Sequence, residues 1–403
     1  MNNDTIILEK SKTKNTTFAP IEEKMLIIAI FIIMFCILSN SALYAQSVIS
    51  GIKLFFFAVL PGLLPFMFLC KILSSINLEK LSHFANKPMQ KTFSVGGNCF
   101  YPMFMSLVSG YPIGSKITSD LSLQGKIKEK EILICSALSS SSGLIFIIGS
   151  VGNGMLNSTK LGIIIYVSNA IATFLCTIIL NLMQKIKMKK QKENTISNNK
   201  IQNKLKHEKV ENKSFFEKQT RNCTSSFKTK NENKNILQIL SSSATDTSQS
   251  LLVVCFYISF FFVIIDILNQ TKILPFLANI ISLVFGNNPE KMALSGGIMS
   301  GIIEMTRGVK MLSEIKTNLS ISLISALISF GGLSIIFQSL SFLSKTNLKP
   351  SKFVFAKIVQ AFLSFLCCTI LLLIFKIWRM KKAQNWLCFI YCLFLLLLKS
   401  LRC

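Results

Sequence analysis

Long apolar runs separated by short polar interruptions occupy most of the chain. Those at 25–43, 51–73, 132–151, 161–183, 251–268, 321–343 and 353–377 are near the length a helix needs to cross a bilayer. The run at 25–43 reads as an anchored first helix. It is long for the apolar region of a cleaved signal, and Leu43 sits poorly three positions before a cut after Ala45. Pro61 and Pro65 each remove a ladder donor from 51–73, which predicts a kink or break there. A further apolar helix is expected at 386–398. Two other apolar stretches are too interrupted for simple spans: 102–116, broken by Ser109, Gly110 and Pro112, and 293–307, with Gly296, Gly297 and Gly301.

These two stretches are copies of one framework. Ser109-Gly110 aligns with Ser300-Gly301, placing Ser115 on Thr306 and Lys116 on Arg307, 191 residues apart. The same shift carries Phe174-Leu175-Cys176 onto Phe365-Leu366-Cys367, and Gly143-Leu144 meets Gly332-Leu333 two residues out of step. The chain therefore reads as an all-α polytopic membrane protein of two homologous repeats containing broken or re-entrant helices. It divides into a polar tail (1–24), a first membrane unit (25–184), a basic linker (185–235), a second repeat (236–382) and an extra C-terminal helix (383–403). Basic clusters after each repeat, at Lys185 and at Lys376, would put both repeat ends on one side of the membrane. Inverted repeats, common in transporters, would instead make Lys345, Lys349 and Lys352 cytoplasmic, and inversion is the reading favoured here.

Composition narrows the class. Of 403 residues 51% are hydrophobic, and the mean hydropathy of +0.53 excludes a soluble basic protein despite a net charge of +26. The linker holds 15 Lys or Arg against 5 Glu, reads as disordered and suits anionic lipid at the cytoplasmic surface better than nucleic acid. Most of the twelve cysteines lie in apolar runs as small hydrophobes, no C-x-x-C occurs, and His83 and His207 are far apart, so neither metal nor cofactor is expected. No P-loop is present, and no span holds a histidine for hydrolytic chemistry, so the chain is not expected to be an enzyme.

Broken apolar segments at matching positions of two repeats point to a transporter's substrate site, because irregular backbone survives in lipid only when buried or lining a cavity. The candidate residues are Ser109, Gly110, Tyr111, Gly114, Ser115 and Lys116 in one copy, and Gly301, Glu304, Thr306 and Arg307 in the other. Half-helix N-termini beside hydroxyls and a cation favour an anionic ligand. Glu304 and Arg307, three apart, are placed to pair on a helix, and Asp266 and Glu304 are candidates for proton or ion coupling.

The proline helix from Leu60, the Ser109-Gly110-Tyr111-Pro112-Ile113-Gly114 motif with Asp120-Leu121 after it, and Gly301 to Gly308 with Glu304 and Arg307 resemble the sporulation integral membrane protein family YlbJ/SpoVV. The resemblance covers most of 25–380 and leaves out the basic insert and the last helix. It implies nucleoside-recognition (Gate) repeats, a place in the outer forespore membrane, and movement of dipicolinic acid by alternating access. Lys116 and Arg307 together would suit its two carboxylates. A nucleoside or other polar-solute carrier is the alternative within transport, and a non-transporting scaffold for spore-envelope assembly the alternative outside it. Direction, energy coupling and homo-oligomer formation are left open.

Overall fold

The computed structural model describes residues 20–75, 79–205, 236–285 and 288–381, and every regular element among them is helical. Helix α1 (Pro20–Ser39) stops at a turn, and α2 (Ser41–Leu54), a π-helical turn (Phe55–Val59) and α3 (Leu60–Ser75) follow as one rod. Of the kink or break expected at the prolines, no break occurs, and the irregularity takes the form of the π turn. The widened π turn just before Pro61 shifts the hydrogen-bond register, so the missing donors are absorbed within a continuous helix.

After this rod come α4 (Glu79–Phe93), half-helices α5 (Phe100–Ser109) and α6 (Ile113–Leu123), then α7 (Ile132–Leu138), a π-helical segment (Phe146–Met155) and the long α8 (Thr159–Leu205). The second half runs in the same order. Rod α9 (Ile236–Gln270) leads to α10 (Ile273–Phe285), half-helices α11 (Pro289–Ile303) and α12 (Met305–Ser313), α13 (Asn318–Phe330), α14 (Gly332–Leu343) and the long α15 (Pro350–Lys381). The stretches Ser41–Leu69, Thr159–Lys187, Ile236–Gln270, Asn318–Leu343 and Pro350–Phe375 are each long and apolar enough to cross a membrane.

Three expectations change. The run at 132–151 is not one span, because the serines at 139–142 take their hydrogen bonds elsewhere. Ser106 Oγ accepts from the Ser141 amide at 2.9 Å, and Ser141 Oγ donates to Asn169 Oδ1 at 3.1 Å. Short hydroxyl side chains compete with the helical ladder in this way. The run at 321–343 is likewise interrupted, at Gly331, whose φ of +87° ends α13. Residues 185–205, read as disordered, continue α8, since extending an anchored helix costs far less than starting one. The rest of that linker (206–235), the tail to residue 19 and the C-terminal helix at 383–403 lie outside the described residues.

Helices α8, α13 and α15 pack together at the centre. On α15 the side chains of Phe355, Ile358, Phe362, Leu366 and Ile370 are exposed, whereas Phe353, Lys357, Gln360, Ser364 and Cys368 on the other face are buried. Apolar groups face lipid and polar groups face inward, where they must find partners. Ser325 and Ser364 bond at 2.8 Å, and Ser329 Oγ donates to the Gln360 carbonyl at 3.2 Å.

Candidate functional site

Four interruptions of the helical ladder, two from each half, meet in the middle of the molecule. In the first half, α5 gives way to α6 at Gly110 (φ +88°), and a side chain there would sit 2.6 Å from the Gly143 amide nitrogen in the second interruption. In the second half, α11 gives way to α12 at Glu304, and α13 to α14 at Gly331. A Cβ on Gly332 would lie 2.9 Å from the Met305 nitrogen, so these two breaks also touch. Tyr111 joins the halves. Its hydroxyl donates to the Ile328 carbonyl at 2.6 Å, near the end of α13, and lies 3.1 Å from Met305 Sδ. A helix-terminal acceptor that its own ladder leaves open is thereby satisfied from the other repeat.

The breaks enclose a cavity of about 40 Å³, lined by Ser109, Gly110, Tyr111, Ser142 and Gly143 from the first half and Glu304, Met305, Thr306 and Gln338 from the second. Val59, Leu63, Phe146 and Ile258 supply apolar wall. Glu304 is 1% exposed and caps α12, its two carboxylate oxygens accepting from the Thr306 and Arg307 amides at 3.2 and 2.7 Å. It does not pair with the Arg307 side chain as the three-residue spacing predicts, because Glu304 lies outside the helical turn that would bring the two side chains together. Gln338 is fully buried on α14, and neither its amide nitrogen nor its oxygen has a protein partner. Desolvating an amide without partners is unfavourable, which marks Gln338 as a group awaiting a ligand or water.

A second space of about 620 Å³ is lined by Ala58 and Arg307, the sequence neighbours of Val59 and Thr306 in the first, and shares no lining residue with it. It carries Lys53, Arg307 and Lys310 beside Asp266 and Glu314. The Arg307 guanidinium donates to Asp266 at 2.7 Å and lies 5.2 Å from the Phe262 ring centre, while Ser47 donates to the same carboxylate at 2.6 Å.

The structure does not bring the two cations onto one ligand. Lys116 lies with Lys71 and Asp246 at one end of α9, and Lys71 bridges to Asp246 at 3.2 Å. Arg307 meets Asp266 at the other end. The two aspartates are twenty residues apart on one helix, about 30 Å at helical rise. The alignment of the repeats is unaffected. Equivalent positions of inverted repeats meet only where they lie near the pseudo-two-fold axis at the midplane, and the Lys116 and Arg307 side chains lie away from the shared breaks. Lys116 is half-buried on α6, outside the five spanning helices; burial, and next the Lys71 ammonium, hold its pKa below the usual lysine value. Ser115 and Gly114 are buried behind the first break, Gly114 against the Ser139 carbonyl, and the Ser115 hydroxyl has no protein partner. Gly301 packs against Gly308 and lets α11 and α12 close into a tight hairpin. Of the ten candidate binding residues, Ser109, Gly110, Tyr111, Glu304 and Thr306 share the cavity, Arg307 lines the second space, and Gly114, Ser115, Lys116 and Gly301 stand apart from both.

Two central residues escape a reading by motif. Gln338 sits in an apolar run without a glycine or charge beside it. Lys357 does carry a signal, a lone cation inside a spanning run, and such residues are functional by default. It is 1% exposed, and its ammonium donates to the Ser140 carbonyl and to Gln360 Oε1, both at 2.9 Å.

Over 318 residues the chain is 24% identical to the sporulation integral membrane protein YlbJ of Bacillus subtilis (strain 168), covering 77% of this chain and 73% of that one. The chain is thus similar to this sporulation integral membrane protein over about three quarters of its length. Neither a family model nor a solved structure matches it. Among the described residues no cluster of His, Cys, Asp or Glu is arranged to hold a metal ion. The architecture is thus that of an integral membrane bundle whose two halves meet at helix breaks beside one small cavity.

Proposed function

We propose that this protein is a sporulation membrane transporter that carries a small anionic solute, dipicolinic acid foremost, across the outer forespore membrane by alternating access. The observation that carries the reading is the convergence of helix breaks from both halves on one small cavity where a buried amide, Gln338, has no protein partner. Irregular backbone at the centre of a membrane bundle survives only when buried in protein or lining a cavity, and in transporters such breaks mark the substrate site. The relative's name supports the sporulation setting.

The geometry supports a two-stage route. The second space, with Lys53, Arg307 and Lys310, draws an anion inward and is large enough for a small aromatic dicarboxylate. Arg307 exchanges its bond to Asp266 for one to a solute carboxylate, a swap of like partners. The inner cavity holds a carboxylate of its own, Glu304, so an anion passes it only with a proton or small cation alongside. Glu304 is therefore the coupling group, and Asp266 the gate partner of Arg307. At about 40 Å³ the inner space is far below the ~300 Å³ of ordinary small-molecule pockets, so the described conformation is a closed one between two open ones. The basic linker rests on anionic lipid and takes no part in the step.

Glu304 and the Gln338 amide also suit a neutral solute rich in hydrogen-bonding groups, such as a nucleoside, and this is the second reading. Purified protein in liposomes separates the two. Labelled dipicolinate should enter protein-bearing liposomes at least about tenfold faster than protein-free ones, with labelled uridine and adenosine excluded. Uptake of the nucleosides alone transfers the site to the second reading. Uptake of neither leaves a scaffold and removes transport.

A further inference from the structure

The most deeply buried cation in the described structure lies outside the cavity, behind Tyr111. Lys357 projects from α15 of the second half into the serine break of the first. Its ammonium bonds the Ser140 carbonyl and Gln360 Oε1 and stands 5.4 Å from the centre of the Tyr111 ring. Gln360 is locked in that orientation, since its amide nitrogen donates to Thr173 on α8 and to the same Ser140 carbonyl. Among the described residues no carboxylate bridges to Lys357. A buried charge normally requires an opposite charge. Here two fixed oxygens and a ring face replace it, and the Ser140 hydroxyl stands buried nearby without a partner. Backbone carbonyl oxygens replace the water shell of monovalent cations in channel filters and an aromatic face attracts a cation, and the two oxygens and the ring here supply part of such a set.

We propose that the Lys357 ammonium is a resident substitute for a bound alkali cation, closing the junction of the two halves so that no free ion is needed there. Shortening the side chain would then expose an oxygen-lined site that takes a small monovalent cation from solution. The proposal concerns cation occupancy at the junction and does not depend on which solute, if any, the protein carries.

The test is thermal unfolding of the purified full chain in equal concentrations of sodium, methylammonium or choline chloride. Lys357→Ala should gain about 3 °C or more in sodium or methylammonium over choline, while the wild type and Lys357→Met, whose side chain fills the space without charge, stay level. Equal curves for Lys357→Ala in all three salts overturn the proposal, as does the same gain in all three proteins. If Lys357→Ala is recovered folded only when methylammonium is present during purification, that rescue supports the proposal. If it is not recovered at all, Lys357→Gln decides: a melting point below wild type and unmoved by salt upholds the need for a cation, and wild-type stability overturns it.

Discussion

Gln338 and Glu304 show how differently two buried polar groups are held. Glu304 is satisfied from within by the amides that open α12, and removing it would leave those donors bare. Gln338 has no such partners, so the fold loses nothing when the amide goes. Gln338→Leu should keep or slightly raise the melting temperature while cutting dipicolinate uptake at least about tenfold, the signature of a group that serves a ligand rather than the fold. A melting temperature lowered by several degrees would instead make the amide structural. Neither Gln338 nor Lys357 belongs to the repeat motif, and that is why motif reasoning passed over both. Lys357 was legible on another ground, because no span keeps a lone lysine without a use for it. Gln338 was not, since an amide's worth depends on which atoms surround it.

At the scale of elements, the breaks are set by different chemistry in each copy. Gly110 and Gly331 adopt positive φ, whereas the serine break is held by the Ser141 amide, which donates to the Ser106 hydroxyl of α5, and by the Ser141 hydroxyl, which donates to Asn169 of α8. Gly110→Ala meets two penalties together: roughly 1–3 kcal/mol for a positive-φ, extended-ψ backbone that essentially only glycine adopts, and a methyl pressed against the Gly143 nitrogen, which is itself fixed backbone. Its expected outcome is loss of folded protein from the membrane fraction, read by immunoblot and detergent-resistant gel filtration. Normal accumulation with a wild-type melting temperature would mean that the two breaks do not touch. The broken stretches at 102–116 and 293–307 were visible in the sequence as glycine, proline and hydroxyl residues within apolar runs. The breaks at 139–142 and 331 were not, because hydropathy averages over a run and cannot register where the hydrogen bonds go.

For the molecule as a whole, the position of α9 decides the relation between the halves. One helix carries Asp246 beside Lys71 and Lys116 at one end and Asp266 beside Arg307 at the other. Cysteines introduced as Lys116→Cys and Arg307→Cys in a background freed of other cysteines should therefore react with an impermeant thiol reagent from opposite faces of the membrane. Labelling of both from the same face would be incompatible with this arrangement.

Hydropathy and spacing alone determined the membrane class, the helical fold and the two stretches that open into half-helices. Those properties follow from transfer free energy and backbone covalency, which act residue by residue along the chain. Only the tertiary structure decided that Lys116 and Arg307 stand apart, that Glu304 caps a helix instead of pairing with Arg307, and that Lys357 and Gln338 belong at the centre. Each of these is a contact between segments distant in sequence, and its energy exists only once the two halves have packed around their shared breaks.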